Sequence, residues 1–83
     1  MVAGIYFEIA LVSQATENYD EALSNINKAL RLEPNNPRYL DIKLEISIIN
    51  KDKISALDAF EKLQIVNPEN QKLAEWEGQV GEL

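Results

Sequence analysis

The side chains in this chain that could carry chemistry are paired carboxylates: Asp20 with Glu21, Asp41 with Glu45, and Glu75 with Glu77. Such pairs can act as a general acid and base or hold a magnesium ion. The residues that usually complete such sites are missing. Without histidine, the commonest general base near neutral pH and the commonest metal ligand are both absent. Without cysteine there is no thiol nucleophile, thiolate metal site or disulfide framework. No GxSxG, Walker A, dinucleotide-binding or zinc spacing occurs. The carboxylates therefore read as solvated helix faces and complements to helix-end charge. Asn18, Asn36 and Asn70 read as helix caps, and Tyr19, Phe60 and Trp76 as core. The sequence predicts a non-enzyme with no catalytic residue, cofactor or metal.

The 83 residues fit one small domain, 1–83, with 46% hydrophobic and 27% charged residues, as in a folded soluble chain. Acidic residues outnumber basic ones by 14 to 8, for a net charge of −6. That balance opposes nucleic acid phosphates and anionic membrane surfaces and tolerates a basic or neutral partner. The opening MVAGIYFEIALVSQA has small residues near its end, as a leader would. Glu8 interrupts its apolar run, no basic side chain starts it, and it is too short to span a membrane. It reads as a first helix, which favours the cytoplasm over export and leaves the compartment otherwise unassigned.

The elements that position these residues repeat. Displaced by thirty-four positions, EALSNINKALRLEPNN (21–36) overlays SALDAFEKLQIVNPEN (55–70), aligning Ala22 with Ala56, Lys28 with Lys62 and Pro34 with Pro68. A period of this length marks stacked supersecondary units. In the first copy Tyr19, Ala22, Leu23, Ile26, Ala29 and Leu30 form a helical stripe behind Asn18, which with Glu21 resembles a capping box. In the second, Asp52 precedes a stripe of Ile54, Leu57, Phe60 and Leu63. Pro34 and Pro68 end both helices, and Asn36 with Pro37 opens the next.

Between those copies, YLDIKLEISII (39–49) alternates apolar and polar residues with the period of a strand. A lone strand would have no partner, however. Wound as a helix, the same residues give two opposed stripes: Leu40, Leu44 and Ile48 on one, Tyr39, Ile42, Ile46 and Ile49 on the other. Arg38, Asp41 and Glu45 cluster between them. A helix wedged between neighbours on two faces needs this pattern, and the segment is predicted helical. The first helix, about 2–14, is apolar nearly all round and predicts cover on several sides.

These residues resemble the tetratricopeptide repeat family. Tyr19, Ala22, Ile26, Ala29 and Pro34 occupy its signature slots, with Tyr6, Ile9 and Ala10 matching upstream. Ser13 departs from the usual aromatic, Lys43 holds a slot usually given to Leu, and Leu63 replaces a small alanine. The resemblance implies an all-α fold: antiparallel helix–turn–helix units stacked as a short right-handed α-solenoid of about five helices. Residues 3–36 would form one repeat and 37–70 a second. Residues 71–83 would be a capping helix or the start of a third, burying Leu73, Trp76, Val80 and Leu83.

The resemblance further implies a concave groove that receives a peptide or partner helix. Its lining would be Phe7, Leu11 and Gln14, then Arg38, Asp41 and Glu45, then Lys72, Glu75 and Gln79. Some relatives hold acidic C-terminal tails in a lysine–asparagine clamp. Here Phe7, Leu11 and Ile42 fill slots where that clamp needs Lys, Asn and Asn, and only Lys72 matches, so chaperone-type acidic tails are not the expected ligand. The expected partner is a protein or peptide combining apolar and basic side chains, in a scaffold or adaptor role. On this reading Phe7→Glu would abolish capture without unfolding the chain. Two alternatives stand beside it: a homo-oligomer pairing through Ile5, Phe7 and Leu11 of the first helix, and a portion of a longer array.

Overall fold

The computed structural model describes residues 2–83, which form five α-helices and no strand. They are α1 (Val2–Ala15), α2 (Tyr19–Leu32), α3 (Pro37–Ile49), α4 (Lys53–Val66) and α5 (Leu73–Gly81). Helices α1 and α2 pack as one pair and α3 and α4 as a second, while α3 also touches α2 and α5. The segment with a strand's alternation is a helix, as its two opposed stripes require.

The thirty-four-residue period is written into the turns. Glu17 and Lys51 both take the left-handed conformation, with φ of 62° and 56°. Around them the same pair of bonds forms twice. Asn18 N–H donates to the Ser13 carbonyl at 2.8 Å and Asp52 N–H to Ser47 at 2.9 Å. Glu17 N–H donates to Gln14 at 3.0 Å and Lys51 N–H to Ile48 at 3.1 Å. These are Schellman closures, which satisfy the last carbonyls of α1 and α3 and reverse the chain into the next helix. After α2 and α4 a second pattern recurs. Asn36 N–H donates to Glu33 and Asn70 N–H to Asn67. The side chains of those asparagines then accept from Arg38 N–H at 3.0 Å and Lys72 N–H at 2.8 Å.

Two of the four expected caps, Asn36 and Asp52, form; Asn18 and Asn70 do not. Helix α5 starts from Lys72, and Asn70 only accepts from the amide of that residue. Asn36 caps α3 as described, with Pro37 at the first helical position. Asp52 accepts from the Ser55 amide at 3.1 Å and its hydroxyl at 3.0 Å. Asn18 makes no side-chain cap bond to α2. Its amide Nδ2 instead donates to Glu21 Oε2 at 2.6 Å, so the charged carboxylate takes the side chain away from the helix amides.

The core is two clusters with α3 between them. Tyr39 and Ile46 face a set built from Ala3, Phe7, Ala10, Ala22, Leu23, Ile26 and Ala29. Leu40 and Leu44 face Ala56, Ala59, Phe60, Leu63 and Val80. Ala10, Ala22, Ala29, Ala56 and Ala59 expose no surface, and such small side chains let the helix backbones approach closely. Leu73, Trp76 and Leu83 close the second cluster from α5 and the segment after it. The stripe expected on α4 is corrected in part. Phe60 and Leu63 are buried, but Ile54 is 83% exposed and Leu57 lies at the surface. The contact face runs through Ala56, Ala59, Phe60 and Leu63, and Ile54 sits 200° from Ala56 on the wheel, pointing outward.

Candidate protein-interaction face

Helices α1, α3 and α5 are joined side by side by two contacts between side chains. The first links α1 to α3. The Phe7 and Tyr39 rings lie 4.9 Å apart at 35°, and the Arg38 guanidinium sits 5.0 Å from the Phe7 ring centre. Arginine over an aromatic face is held by the ring's quadrupole and shields one side of the ring from water. The second links α3 to α5: Trp76 Nε1–H donates to Asp41 Oδ1 at 3.1 Å.

These contacts decide the standing of the residues predicted to line the groove. Phe7 is only 8% exposed and belongs to the core. This corrects its expected role as an open contact, and a Phe7→Glu change would place a carboxylate in the first core cluster rather than test binding. Leu11 is half-buried and packs on that cluster, as does Ile42 across from it on α3. Gln14 is half-buried. Arg38 is exposed, while Asp41 and Glu45 are half-buried on the same face of α3. On α5, Lys72 and Glu75 are exposed, and the half-buried Gln79 donates from Nε2 to Glu75 Oε1 at 3.2 Å. The structure thus brings Arg38 onto Phe7, joins Asp41 to Trp76 and pairs Glu75 with Gln79. Among the described residues, Lys72's ammonium makes no hydrogen bond or ion pair.

The slots that a carboxylate clamp would need are filled by Phe7, Leu11 and Ile42, all drawn into or against the core. Three carboxylates, Asp41, Glu45 and Glu75, stand on this side against two cations, Arg38 and Lys72. Leu11, Ile42 and Trp76 supply apolar edges between them. Among the described residues no group of three or more His, Cys, Asp or Glu could hold a metal ion, and no helix is long and apolar enough to cross a membrane.

Sequence reasoning missed an ion pair between α3 and α4 that buries its lysine and leaves its carboxylate half-exposed. Lys43, whose side chain is 10% exposed, donates from Nζ to Asp58 Oδ2 at 2.8 Å. Lys62 approaches the same oxygen at 3.6 Å from one turn along α4. The hydrogen bond from Lys43 holds the Asp58 carboxyl below the usual carboxylate range; partial burial opposes this, and the charges of Lys43 and Lys62 add to it. The signal was present in the sequence, since Lys43 holds a slot that the family resemblance gives to leucine. The exposed apolar row Val2, Ile5, Ile9 and Val12 on α1 was also read incompletely, with only Ile5 assigned to an outer contact.

No curated protein matches the chain. The tetratricopeptide repeat family model matches residues 3–36, which span nearly all of α1, then α2 and the turn after it. Helices α3 and α4 lie outside that match but reproduce its turn hydrogen bonds thirty-four residues on. Residues 3–36 are thus similar to one unit of the tetratricopeptide repeat family.

Proposed function

We propose that the chain is a non-catalytic scaffold or adaptor that holds a peptide or partner helix across the concave side formed by α1, α3 and α5. Tetratricopeptide repeats are in general protein-interaction modules, and this reading assigns that role to one face. The observation that carries it is the row on α3, where Arg38, Asp41, Ile42 and Glu45 lie between Leu11 of α1 and Trp76 of α5. The excess of carboxylates there favours a ligand with basic side chains. The half-buried Leu11, Ile42 and Trp76 favour apolar ones between them. The proposed lining is therefore Leu11, Gln14, Arg38, Asp41, Glu45, Lys72, Glu75 and Gln79, with Phe7 acting from beneath as the ring that positions Arg38.

A peptide library displayed against the purified chain tests this reading. The enriched peptides are expected to carry apolar residues interspersed with Lys or Arg, and not acidic C-termini. Glu45→Lys should weaken the best of them by about tenfold, the scale of one charge pair turned repulsive at a partly buried rim. Enrichment of acidic tails, or affinity unchanged by Glu45→Lys combined with Glu75→Lys, would overturn the assignment.

A further inference from the structure

The outer face of α1, away from the concave side, carries Val2, Ile5, Ile9 and Val12, at 56%, 58%, 39% and 64% exposure. Their spacing of three, four and three is the seam of a two-stranded coiled coil. The row also reads the same in both directions: Val, Ile, Ile, Val, centred on position 7. An antiparallel copy of α1 turned about a two-fold axis at that level sets Val2 against Val12 of the other copy, and Ile5 against Ile9. An isologous interface requires this self-complementarity, because each contact must occur twice.

The charges beside the row have the same symmetry. α2 runs antiparallel to α1 along the flank of the row. Glu21 lines one surface depression with Val12 and Thr16, toward one end of the row, and Lys28 and Arg31 line another with Val2 and Tyr6, toward the other end. Lys28 is also 5.5 Å from the Tyr6 ring. All three charged residues are exposed, and among the described residues none makes an ion pair. The two-fold that pairs the apolar row carries Glu21 of each copy to the level of Lys28 and Arg31 of the other. Glu8 is the charge that approaches its own counterpart, and it is exposed, so both carboxylates stay in water.

From the palindromic row and the complementary charges at its two ends, we infer that this face is a homodimer interface: α1 pairs antiparallel with α1 of a second copy. A fourteen-residue helix is about 21 Å long, and a strip two helices wide along it buries roughly 1,000 Å² in total, the lower limit for a specific contact. An interface of that size gives a dimer in the micromolar range, about 1–100 μM. The surface is separate from the α1, α3 and α5 groove, so dimer formation and peptide capture can fail independently.

Sedimentation equilibrium of the full chain from about 1 to 500 μM tests the inference. The mass should rise from 9.4 kDa toward twice that value. Ile5→Glu, at an exposed position, should keep the helical circular dichroism and weaken the dimer at least ~50-fold, the scale of two carboxylates placed in an apolar seam. Glu21→Lys should weaken it about tenfold, and adding Lys28→Glu and Arg31→Glu should restore it. Because the chain has no cysteine, the register can be read by oxidation. A mixture of Ile5→Cys and Ile9→Cys chains should cross-link to each other in preference to themselves. A mass of 9.4 kDa throughout would overturn the interface and leave the face to another helix. A dimer indifferent to Ile5→Glu would also overturn it, as would one lacking the charge-swap rescue or cross-linking preferentially between two Ile5→Cys chains.

Discussion

Replacing Asp58 with asparagine separates the two halves of the ion pair between α3 and α4. The change keeps the shape of the side chain and leaves the Lys43 ammonium, only 10% exposed, without an anionic partner. Removing one partner of a fully buried pair costs about 3–5 kcal/mol, because the surviving charge stays desolvated. Asp58 itself is 43% exposed, so solvent screens part of the interaction and the expected loss is nearer 2 kcal/mol. For a domain of this size that lowers the melting temperature by roughly 8–16 °C. Lys43→Met removes the other half and should behave differently. The thioether fills the space of the lysine stem inside the core, and the abandoned carboxylate can turn into water. Its effect should stay within ~1 kcal/mol of zero, and the double variant should match Lys43→Met alone. Urea denaturation followed by helical circular dichroism measures all three.

The pH dependence follows from the depressed pKa of Asp58. Its contribution is complete above the ordinary value of 3.8 and is lost as the pH falls through the lower folded-state value. The gap between the parent chain and Asp58→Asn should therefore close in acid below about pH 4. Should Lys43→Met destabilise as much as Asp58→Asn, or Asp58→Asn change stability by less than ~0.5 kcal/mol, the account of a desolvated ammonium held by Asp58 would be wrong.

Three further outcomes follow from the fold. Lys51→Gly relieves a left-handed residue with a side chain, and should raise stability by about 0.5–1 kcal/mol in the same urea titration, with no gain from Lys51→Ala. Leu63→Ala empties a site that exposes no surface and should cost about 3 kcal/mol, whereas Ile54→Ala at an 83% exposed position should stay within ~0.5 kcal/mol. Trp76→Phe keeps the packing but loses the bond to Asp41, and should cost about 1 kcal/mol by thermal denaturation.

The helices and their order were legible because the two proline-ended copies repeat and because α3's alternating residues make sense only as two stripes. Tyr39, Ile42 and Ile46 do face one cluster, and Leu40, Leu44 and Ile48 the other. The exposure of individual groove residues was less legible. Phe7 holds a slot that the family resemblance assigns to the groove lining, but Tyr39 and Arg38 close over its ring, a contact between helices that no pattern within one helix announces. Ile54 and Leu57 were drawn into the core by hydrophobicity alone. The alanines at 56 and 59 set the contact face, because close approach selects small residues over large ones. No pattern within α3 marks Lys43 as buried. Its burial depends on Asp58, fifteen residues away on a different helix.

The most direct measurement of the central claim is amide chemical-shift mapping of the labelled chain with a displayed apolar and basic peptide. Shifts should concentrate at Leu11, Arg38, Ile42, Glu45 and the Trp76 indole, along one side of α1, α3 and α5. Shifts confined to the outward faces of α2 and α4, with the Trp76 indole unmoved at saturation, would contradict it.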